Sequence, residues 1–301
     1  MSALSAASRN EPAVADETST SASRARARAR ANRRLLVNGL RVAFAVIVLG
    51  FWEVGTTIDA THKDGLFIDP FFYGRPSGIA TQLWTWIQSG TAQGPLWLQV
   101  ATTLEEAFLG FLIGVVLGVV FGVALGRVRL LSDVFAPYIK ALNAMPRVVL
   151  GSIFIITIGY GIWSKVALAV VLVFFVVFFN AFQGVREVDR VLIANARILG
   201  ASERQLSTHV ILPSALSWIL ASLHTSFGFA LVGAVVGEYL GAIHGIGLII
   251  ATAQATFNPN GVFAAMFILA VVALTAEVAL TWLESRLIKW RPNAITADVR
   301  I

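Results

Sequence analysis

Long apolar stretches, separated by polar ones, set the strongest limit on what this 301-residue chain can fold into. A hydrocarbon core about 30 Å thick is crossed by about 20 helical residues, because an α-helix rises about 1.5 Å per residue. We therefore expect an all-α integral membrane protein with about six transmembrane helices. The predicted spans are Val42–Thr57, Ala107–Leu125, Val148–Tyr160, Val166–Phe182, Leu216–Leu240 and Val262–Leu283.

The composition supports a bilayer as the solvent of this chain. Apolar residues make up 57% of the sequence and charged residues 13%, whereas charged residues make up about 25% of a typical soluble domain. The chain contains no cysteine, which excludes disulfides, thiolate chemistry and cysteine-based metal sites.

The distribution of basic residues predicts the orientation. Placing both termini in the cytoplasm puts the N-terminal arginines and nearly all basic residues between the spans on the inner side, as the positive-inside rule requires. The outer side then keeps only Lys63, Arg75 and Lys165. We expect both termini to be cytoplasmic.

The sequence divides into four zones. Residues 1–35 are rich in Ser, Ala, Thr and Arg and predict a disordered, basic cytoplasmic tail. Residues 36–98 contain the first transmembrane helix and an outer connection, whose Trp84, Trp86 and Trp97 are typical of a helix at the membrane interface. An alternative for this connection is a docking surface for an external partner. Residues 99–290 form the main transmembrane domain, and 291–301 form a cytoplasmic tail.

A polar, helix-forming insert lies between the fourth and fifth spans, and we call residues 190–213 the elbow. Val191–Leu199 predicts a short amphipathic helix that Gly200 ends. Ser202 is a suitable N-cap for a second helix, and Pro213 is tolerated at the start of the next span. A soluble protein that gripped such a helix–glycine–helix elbow could move the two adjoining spans together.

The elbow resembles the cytoplasmic coupling loop of ABC importer permeases, in which Glu-Ala-Ala is followed after three residues by Gly and later by Leu-Pro. Aligning on Gly200 places Ala194-Asn-Ala196 at the first three positions and Leu212-Pro213 at the far end. The leading glutamate of the family is Ala194 here, so its polar contact is lost or moved to Asn195 or Glu203.

Further motifs extend the resemblance from about Thr103 to near the C-terminus, and their order is that of the nitrate/sulfonate/taurine-type permeases. They include Asn143-Ala-Met-Pro146, Gly237-Glu-Tyr-Leu-Gly-Ala242 and Gly245-Ile-Gly-Leu-Ile-Ile250. The resemblance implies a type I ABC importer (MetI-like) permease core in the bacterial inner membrane.

The resemblance also implies the partners and the site. It implies a homodimer of this permease, a cytoplasmic ABC ATPase subunit, an external solute-binding protein, and a small anion or sulfonate-like solute. The chain has no Gly-x-x-x-x-Gly-Lys-Ser/Thr loop, so we expect it to be non-catalytic, to bind no cofactor or metal, and to leave ATP to its partner. The implied ATPase-coupling residues are Ala194, Asn195, Ala196, Gly200, Ala201, Ser202, Glu203, Arg204, Leu212 and Pro213.

Acidic residues within the spans are candidates for the translocation path. A charge at mid-bilayer costs about 2.5–3.5 kcal/mol on insertion scales, so Glu53, Glu238 and Glu277 should face protein or water. We expect Glu238 to act as a gate or a structural bond, with Gly245 and Gly247 letting the chain turn back into the membrane. The alternatives are an ion-coupled secondary transporter or channel that uses Glu238 and Glu277, and a structural membrane scaffold.

Overall fold

The computed structural model describes residues 11–62 and 69–287, which fall into two units, Met1–Pro76 and Ser77–Ile301. The first unit contains helix α1 (Glu11–His62) and the single turn α2 (Pro70–Tyr73), which begins at an Asp69 N-cap. The apolar stretch of α1 runs over Asn32–Ile58 and is longer than the predicted first span.

Within residues 1–35, for which disorder stays a prediction, the structure describes α1 as helical from Glu11. Alanine, arginine and glutamate are strong helix formers. Pro12 lies in the first turn, where proline is tolerated, and no glycine or proline follows until Gly39. Residues 1–10 and the predicted tail 291–301 lie outside the described residues.

The second unit is helical, and among its described residues only an isolated bridge between Thr91 and Gly94 has β pairing. Its first helices are α3 (Pro76–Ser89), α4 (Leu96–Arg127), α5 (Arg129–Ala144), α6 (Arg147–Ile158) and α7 (Ile162–Arg186). After these come α8 (Arg190–Ile198), α9 (Glu203–Leu206), a π-helical turn (Ser207–Ile211), α10 (Leu212–Leu240), α11 (Ile246–Ala255) and α12 (Pro259–Leu287).

In the described residues of the two units, five helical segments are long and apolar enough to cross a bilayer, and six spans result if α5 and α6 count as one broken span. The predicted third span, Val148–Tyr160, coincides with α6, but α6 meets α5 at 88°. The bend lies at Met145-Pro146, where proline disfavours helical backbone in the preceding residue. Twelve residues in α6 reach only about 18 Å.

The glycine repeat of α4 packs against α7, as its spacing predicts. A Cβ atom added to Gly114 would lie 2.7 Å from Val173 Cβ, and one added to Gly122 would lie 2.7 Å from Ala181 Cβ. Each glycine of the repeat, four residues further along α4, meets a residue four further along α7. The two helices are therefore parallel, and their backbones approach closely.

The core lies between α4, α7 and α10, with α11 and α12 packed beside them. Because α4 and α7 run in one direction and α10 returns, the elbow and the α10–α11 turn lie at opposite ends of this bundle. The predicted interfacial tryptophans divide between two environments. Trp86 of α3 is buried in the core, whereas Trp84 and Trp97 are exposed.

Candidate functional site

The first arm of the elbow is the helix α8, and its start is fixed by a side-chain cap. Asp189 accepts a hydrogen bond from the backbone N–H of Val191 at 2.8 Å. This cap satisfies one of the N–H groups that a helix start leaves without an intrahelical partner. The sequence analysis did not single out Asp189, although an aspartate just before an amphipathic stretch is a recognisable start signal.

Gly200 ends α8, as predicted, in a left-handed conformation with φ at +79°. The N–H of Ala201 donates to the carbonyl of Ala196, and the N–H of Gly200 donates to that of Arg197, both at 3.0 Å. This pair of bonds is the Schellman motif, in which glycine takes the left-handed position because it has no Cβ atom. The chain therefore turns sharply between the two arms of the elbow.

The second arm begins at Ser202 with a complete capping box. Gln205 N donates to Ser202 Oγ at 3.3 Å, and Ser202 N donates to Gln205 Oε1 at 2.9 Å. Arg197 and Glu203 form an exposed ion pair of 3.0 Å across the glycine turn. Such a pair contributes about 0–1 kcal/mol, so the backbone bonds carry most of the turn's stability.

Pro213 lies in the first turn of α10, as expected, but the helix does not break before it. A π-helical turn over Ser207–Ile211 precedes it, and Leu212 N donates to Ser207 O. Proline has no N–H and its ring crowds the carbonyl four residues earlier, and the wider π turn accommodates both effects. Glu203–Leu240 is consequently one apolar helical segment of 38 residues. At about 57 Å it exceeds the bilayer core and carries the second arm directly into α10.

The predicted elbow residues lie mostly on its surface. Ala194, Asn195, Gly200, Ser202, Glu203, Arg204, Leu212 and Pro213 are exposed, and Ala196 and Ala201 are half-buried. Leu206 is 1% exposed and anchors the second arm. Ile198 and Leu199, at 83% and 86% exposed, form an apolar tip at the turn. A cavity of about 640 Å³ lies between the elbow and the end of α4, near Arg127 and Leu131.

The elbow also shows what replaces the family's leading glutamate. Ala194 presents only a methyl group at that position, and Asn195 is exposed. The acidic side chain at the elbow surface is Glu203, which the structure pairs with Arg197.

A second polar site lies at the opposite end of the bundle, centred on Glu238 of α10. Glu238 is fully buried. Its Oε1 accepts a hydrogen bond from Thr103 Oγ1 at 2.6 Å, and its Oε2 accepts one from the Gly247 N–H at 2.7 Å. Glu238 therefore joins α10 to α4 and to the start of α11 within one subunit.

The first amides of α11 are bound by side chains from two helices. The N–H of Gly245 donates to Gln99 Oε1 at 2.7 Å, and the N–H of Ile246 donates to Thr103 Oγ1 at 3.0 Å. Together with the Gly247–Glu238 bond, these contacts satisfy three successive amides that the helix cannot satisfy itself. Gln99 and Thr103 are both buried, so the contacts are shielded from competing solvent.

Lys165 and Glu106 complete this polar cluster. The Lys165 ammonium donates to the Tyr160 carbonyl at 2.6 Å and to the Gly161 carbonyl at 3.2 Å. It also interacts electrostatically with Glu106 and Glu238. The sequence analysis expected Lys165 on the outer side, which stays a prediction, and did not foresee that its side chain is buried at the start of α7.

Gly245 and Gly247 allow this close packing around Glu238. Gly245 has φ at +124°, and a Cβ atom added there would overlap the Glu238 carboxyl group. A Cβ added to Gly247 would overlap the Val235 carbonyl and lie 2.8 Å from Glu238 Cβ. Both glycines permit the turn from α10 into α11, and the part of Glu238, Gly245 and Gly247 in a path or gate stays a prediction.

The third acidic residue has a partner on a neighbouring helix. Glu277 Oε1 of α12 lies 3.9 Å from His224 Nδ1 of α10, a contact that becomes an ion pair when the imidazole is protonated. In the elbow, Nδ1 of His209 lies within hydrogen-bond distance, 3.2 Å, of the Gln205 carbonyl oxygen.

The sequence analysis missed Glu106 because its second span began too late. It placed the span at Ala107–Leu125, whereas α4 begins at Leu96. The charged pair Glu105-Glu106 interrupts the apolar stretch, so hydropathy alone places the start of the span after it. A membrane-spanning helix tolerates a carboxyl group when a partner from another helix compensates it. A hydropathy pattern carries no information on such partners.

The chain shares its fold with a chain of a solved transporter. A chain of the inward-facing MetNI methionine ABC transporter aligns with a TM-score of 0.53 and 18% identity, over 69% of this chain and 99% of its own length. At this identity the likeness establishes the fold.

Curated relatives extend the similarity to sequence. The riboflavin transport system permease protein RibX of Chloroflexus aurantiacus is 33% identical over 248 residues, 82% of this chain and 88% of the relative. The taurine transport system permease protein TauC of Escherichia coli is 29% identical over 247 residues, 82% of this chain and 87% of the relative.

Helix order, elbow and relatives define the class of this protein as an ABC transporter permease. Residues 114–289 match the family described as binding-protein-dependent transport system inner membrane component, and the chain belongs to that family. Proteins of this class are non-catalytic, multi-pass subunits of the inner membrane, and the ATPase is a separate subunit.

Proposed function

We propose that this chain forms the solute path of an ATP-driven importer and couples it, through the elbow, to a cytoplasmic ABC ATPase. ATP is bound by that partner, and an external solute-binding protein delivers the solute. We further propose that two copies of this chain form the transmembrane unit, with both termini in the cytoplasm.

The continuity of the elbow with α10 is the observation that supports this proposal best. A force applied at the turn passes directly into α10, because Glu203–Leu240 is one helical segment of 38 residues, and it reaches α7 through the short connection before α8. The exposed Ile198 and Leu199 offer an apolar contact for a soluble partner, because burial of apolar surface favours protein–protein association.

Apolar side chains that face away from the core support the proposal of a homodimer. Val149 and Ile156 of α6 are exposed, the latter by 84%. Lipid or another protein must cover such a surface, and a homodimer covers part of it in both subunits at once.

For the solute we propose a small anion or a sulfonate-like compound. The taurine permease among the relatives supports this class, whereas the riboflavin permease shows that similar chains serve a larger solute. Glu238 does not oppose an anion in this arrangement, because its carboxyl group is fully buried beside Lys165. Solute accumulation by cells that express the complete system, with taurine, an alkanesulfonate, nitrate and riboflavin compared, tests this part.

Copurification with the ATPase subunit tests the coupling. The wild-type chain should retain the ATPase through purification in a mild detergent. With Leu199→Asp, the amount of copurified ATPase should fall at least tenfold, because a charge would enter the apolar contact without a partner.

Ile243→Asp is the matched control, since Ile243 is an exposed apolar residue (63%) at the opposite end of the bundle. It should retain the ATPase. Equal retention in both variants would contradict the assignment of the elbow as the docking site.

A further inference from the structure

We propose that Glu106 and Glu238 together hold one proton, so that Glu106 is a neutral acid and Glu238 is the anionic cap of α11. Lys165 is then the counter-charge of Glu238. The proposal concerns the interior of one subunit and is independent of the solute.

The charge balance of the cluster is the first argument. Glu106, Lys165 and Glu238 are 2%, 0% and 0% exposed. An uncompensated charge inside a protein is strongly destabilising, and like charges in contact repel most where the dielectric constant is low. Two carboxylates and one ammonium would leave a net negative charge. One proton on the carboxyl pair makes the cluster neutral.

The hydrogen bonds decide which carboxyl group carries this proton. Both oxygens of Glu238 accept bonds, from Thr103 Oγ1 and from the Gly247 N–H, as a carboxylate does. Glu106 lies three residues after Thr103, on the buried face of α4 from which Thr103 bonds Glu238. Its Oε2 is a buried atom for which the described residues supply no hydrogen-bond partner. A protonated Glu106 can donate to Glu238, and a bond from an acid to its carboxylate is a strong one.

The surroundings favour a carboxylate at Glu238 over one at Glu106. Glu238 faces the N-terminal amides of α11, where the helix dipole favours negative charge. Lys165 acts on both carboxyl groups, but Glu106 alone also has Glu105 beside it on the same helix, which disfavours a second anion there. Helix α11 itself contains no ionisable side chain, so Lys165 supplies the positive charge.

This assignment makes four residues positioning residues for the α10–α11 turn. Gln99, Thr103 and Glu238 hold the first amides of α11, and Lys165 at the start of α7 packs against Gly237 of α10. The ends of α4, α10 and α11 are thereby joined by buried hydrogen bonds opposite the elbow, and α7 packs against them.

Infrared spectroscopy of the full chain in lipid nanodiscs tests the proposal, because a protonated carboxylic acid has a C=O stretching band that a carboxylate lacks. In the wild-type chain with ¹³C-labelled glutamate, an isotope-shifted acid band should appear and should resist exchange in D₂O. Glu106→Gln should remove the intensity of one acid group, and Glu105→Gln, which changes the exposed neighbour on α4, should leave it unchanged.

Lys165→Met provides the second arm of this experiment. Without the ammonium, Glu238 should take up a proton, and the acid band should gain the intensity of one further group. If Glu106→Gln does not fold, Glu106→Asp should shift the band whereas Glu105→Asp should not.

Three results would overturn the proposal. These are a wild-type chain without a glutamic acid band, a band that is unchanged in the Glu106 variants, and a Lys165→Met chain that folds with no gain in acid intensity.

Discussion

Thr103 shows how much a single hydroxyl group does in this protein. It accepts a hydrogen bond from the Ile246 N–H at 3.0 Å and donates one to Glu238 at 2.6 Å. Thr103→Val keeps the shape of the side chain but leaves a buried amide without its partner. We expect a loss of about 1–3 kcal/mol in the free energy of unfolding.

The neighbouring residue supplies the control for this prediction. The hydroxyl of Thr102 bonds the Leu98 carbonyl of its own helix at 2.9 Å. Thr102→Val should therefore stay within about 0.5 kcal/mol of the wild type. Thermal unfolding of both variants in one detergent compares them, and equal midpoints would mean that Thr103 does not anchor α11.

Gly200 provides a prediction for the elbow turn. A Cβ atom at Gly200 would meet no other atom within 4 Å, so any penalty comes from its φ of +79°. Gly200→Val should cost about 1–2 kcal/mol locally and reduce uptake. Gly200→Asn should retain most uptake, because asparagine tolerates this conformation. Transport by both variants at matched expression measures the effect, and equal loss in both would point away from backbone strain.

At the residue scale, the sequence predicted the bonds that are local in the chain. Gly200 and Ser202 follow rules that need only their neighbours, and both form the turn and cap expected of them. Glu106 and Lys165 could not be predicted in the same way. They come together only because α4, α7 and α10 pack against one another, and local sequence patterns carry no information on such tertiary contacts.

At the element scale, the glycine repeat gives the sharpest prediction. A Cβ atom at Gly122 would lie 2.7 Å from both the Ala181 Cβ and the Phe178 carbonyl oxygen. Gly122→Ala should thus force α4 away from α7 and cost about 1–3 kcal/mol. Gly228 is the control, because a Cβ atom added there would meet no atom within 4 Å. Gly228→Ala raises the helix propensity of this mid-helix position, so stability should not fall. Unfolding in lipid nanodiscs would measure both, and an unchanged Gly122→Ala chain would contradict the close packing.

Helix boundaries were predicted less well than helix contacts, for two physical reasons. Hydropathy ends a span at the first charged residue, which shortened α4 at Glu105-Glu106. Proline marks a break without giving its geometry. At Pro146 the chain bends by 88°, whereas at Pro213 a π turn keeps the helix continuous.

At the scale of the whole molecule, the proposed orientation can be tested because the chain has no cysteine of its own. Ala92 and Thr208 are exposed at opposite ends of the second unit. In intact cells, a membrane-impermeant maleimide should label Ala92→Cys, and it should label Thr208→Cys only after permeabilisation. The reverse pattern would invert the topology and place the elbow outside the cytoplasm.

Solute accumulation in proteoliposomes tests the central claim most directly. The vesicles contain this chain with its ATPase subunit, and the solute-binding protein is added on the side opposite ATP. The proposed function predicts accumulation that requires ATP, persists when ionophores collapse proton and sodium gradients, and falls when Leu199→Asp replaces the wild type. Accumulation that needs an ion gradient and proceeds without ATP would contradict the account and favour an ion-coupled transporter.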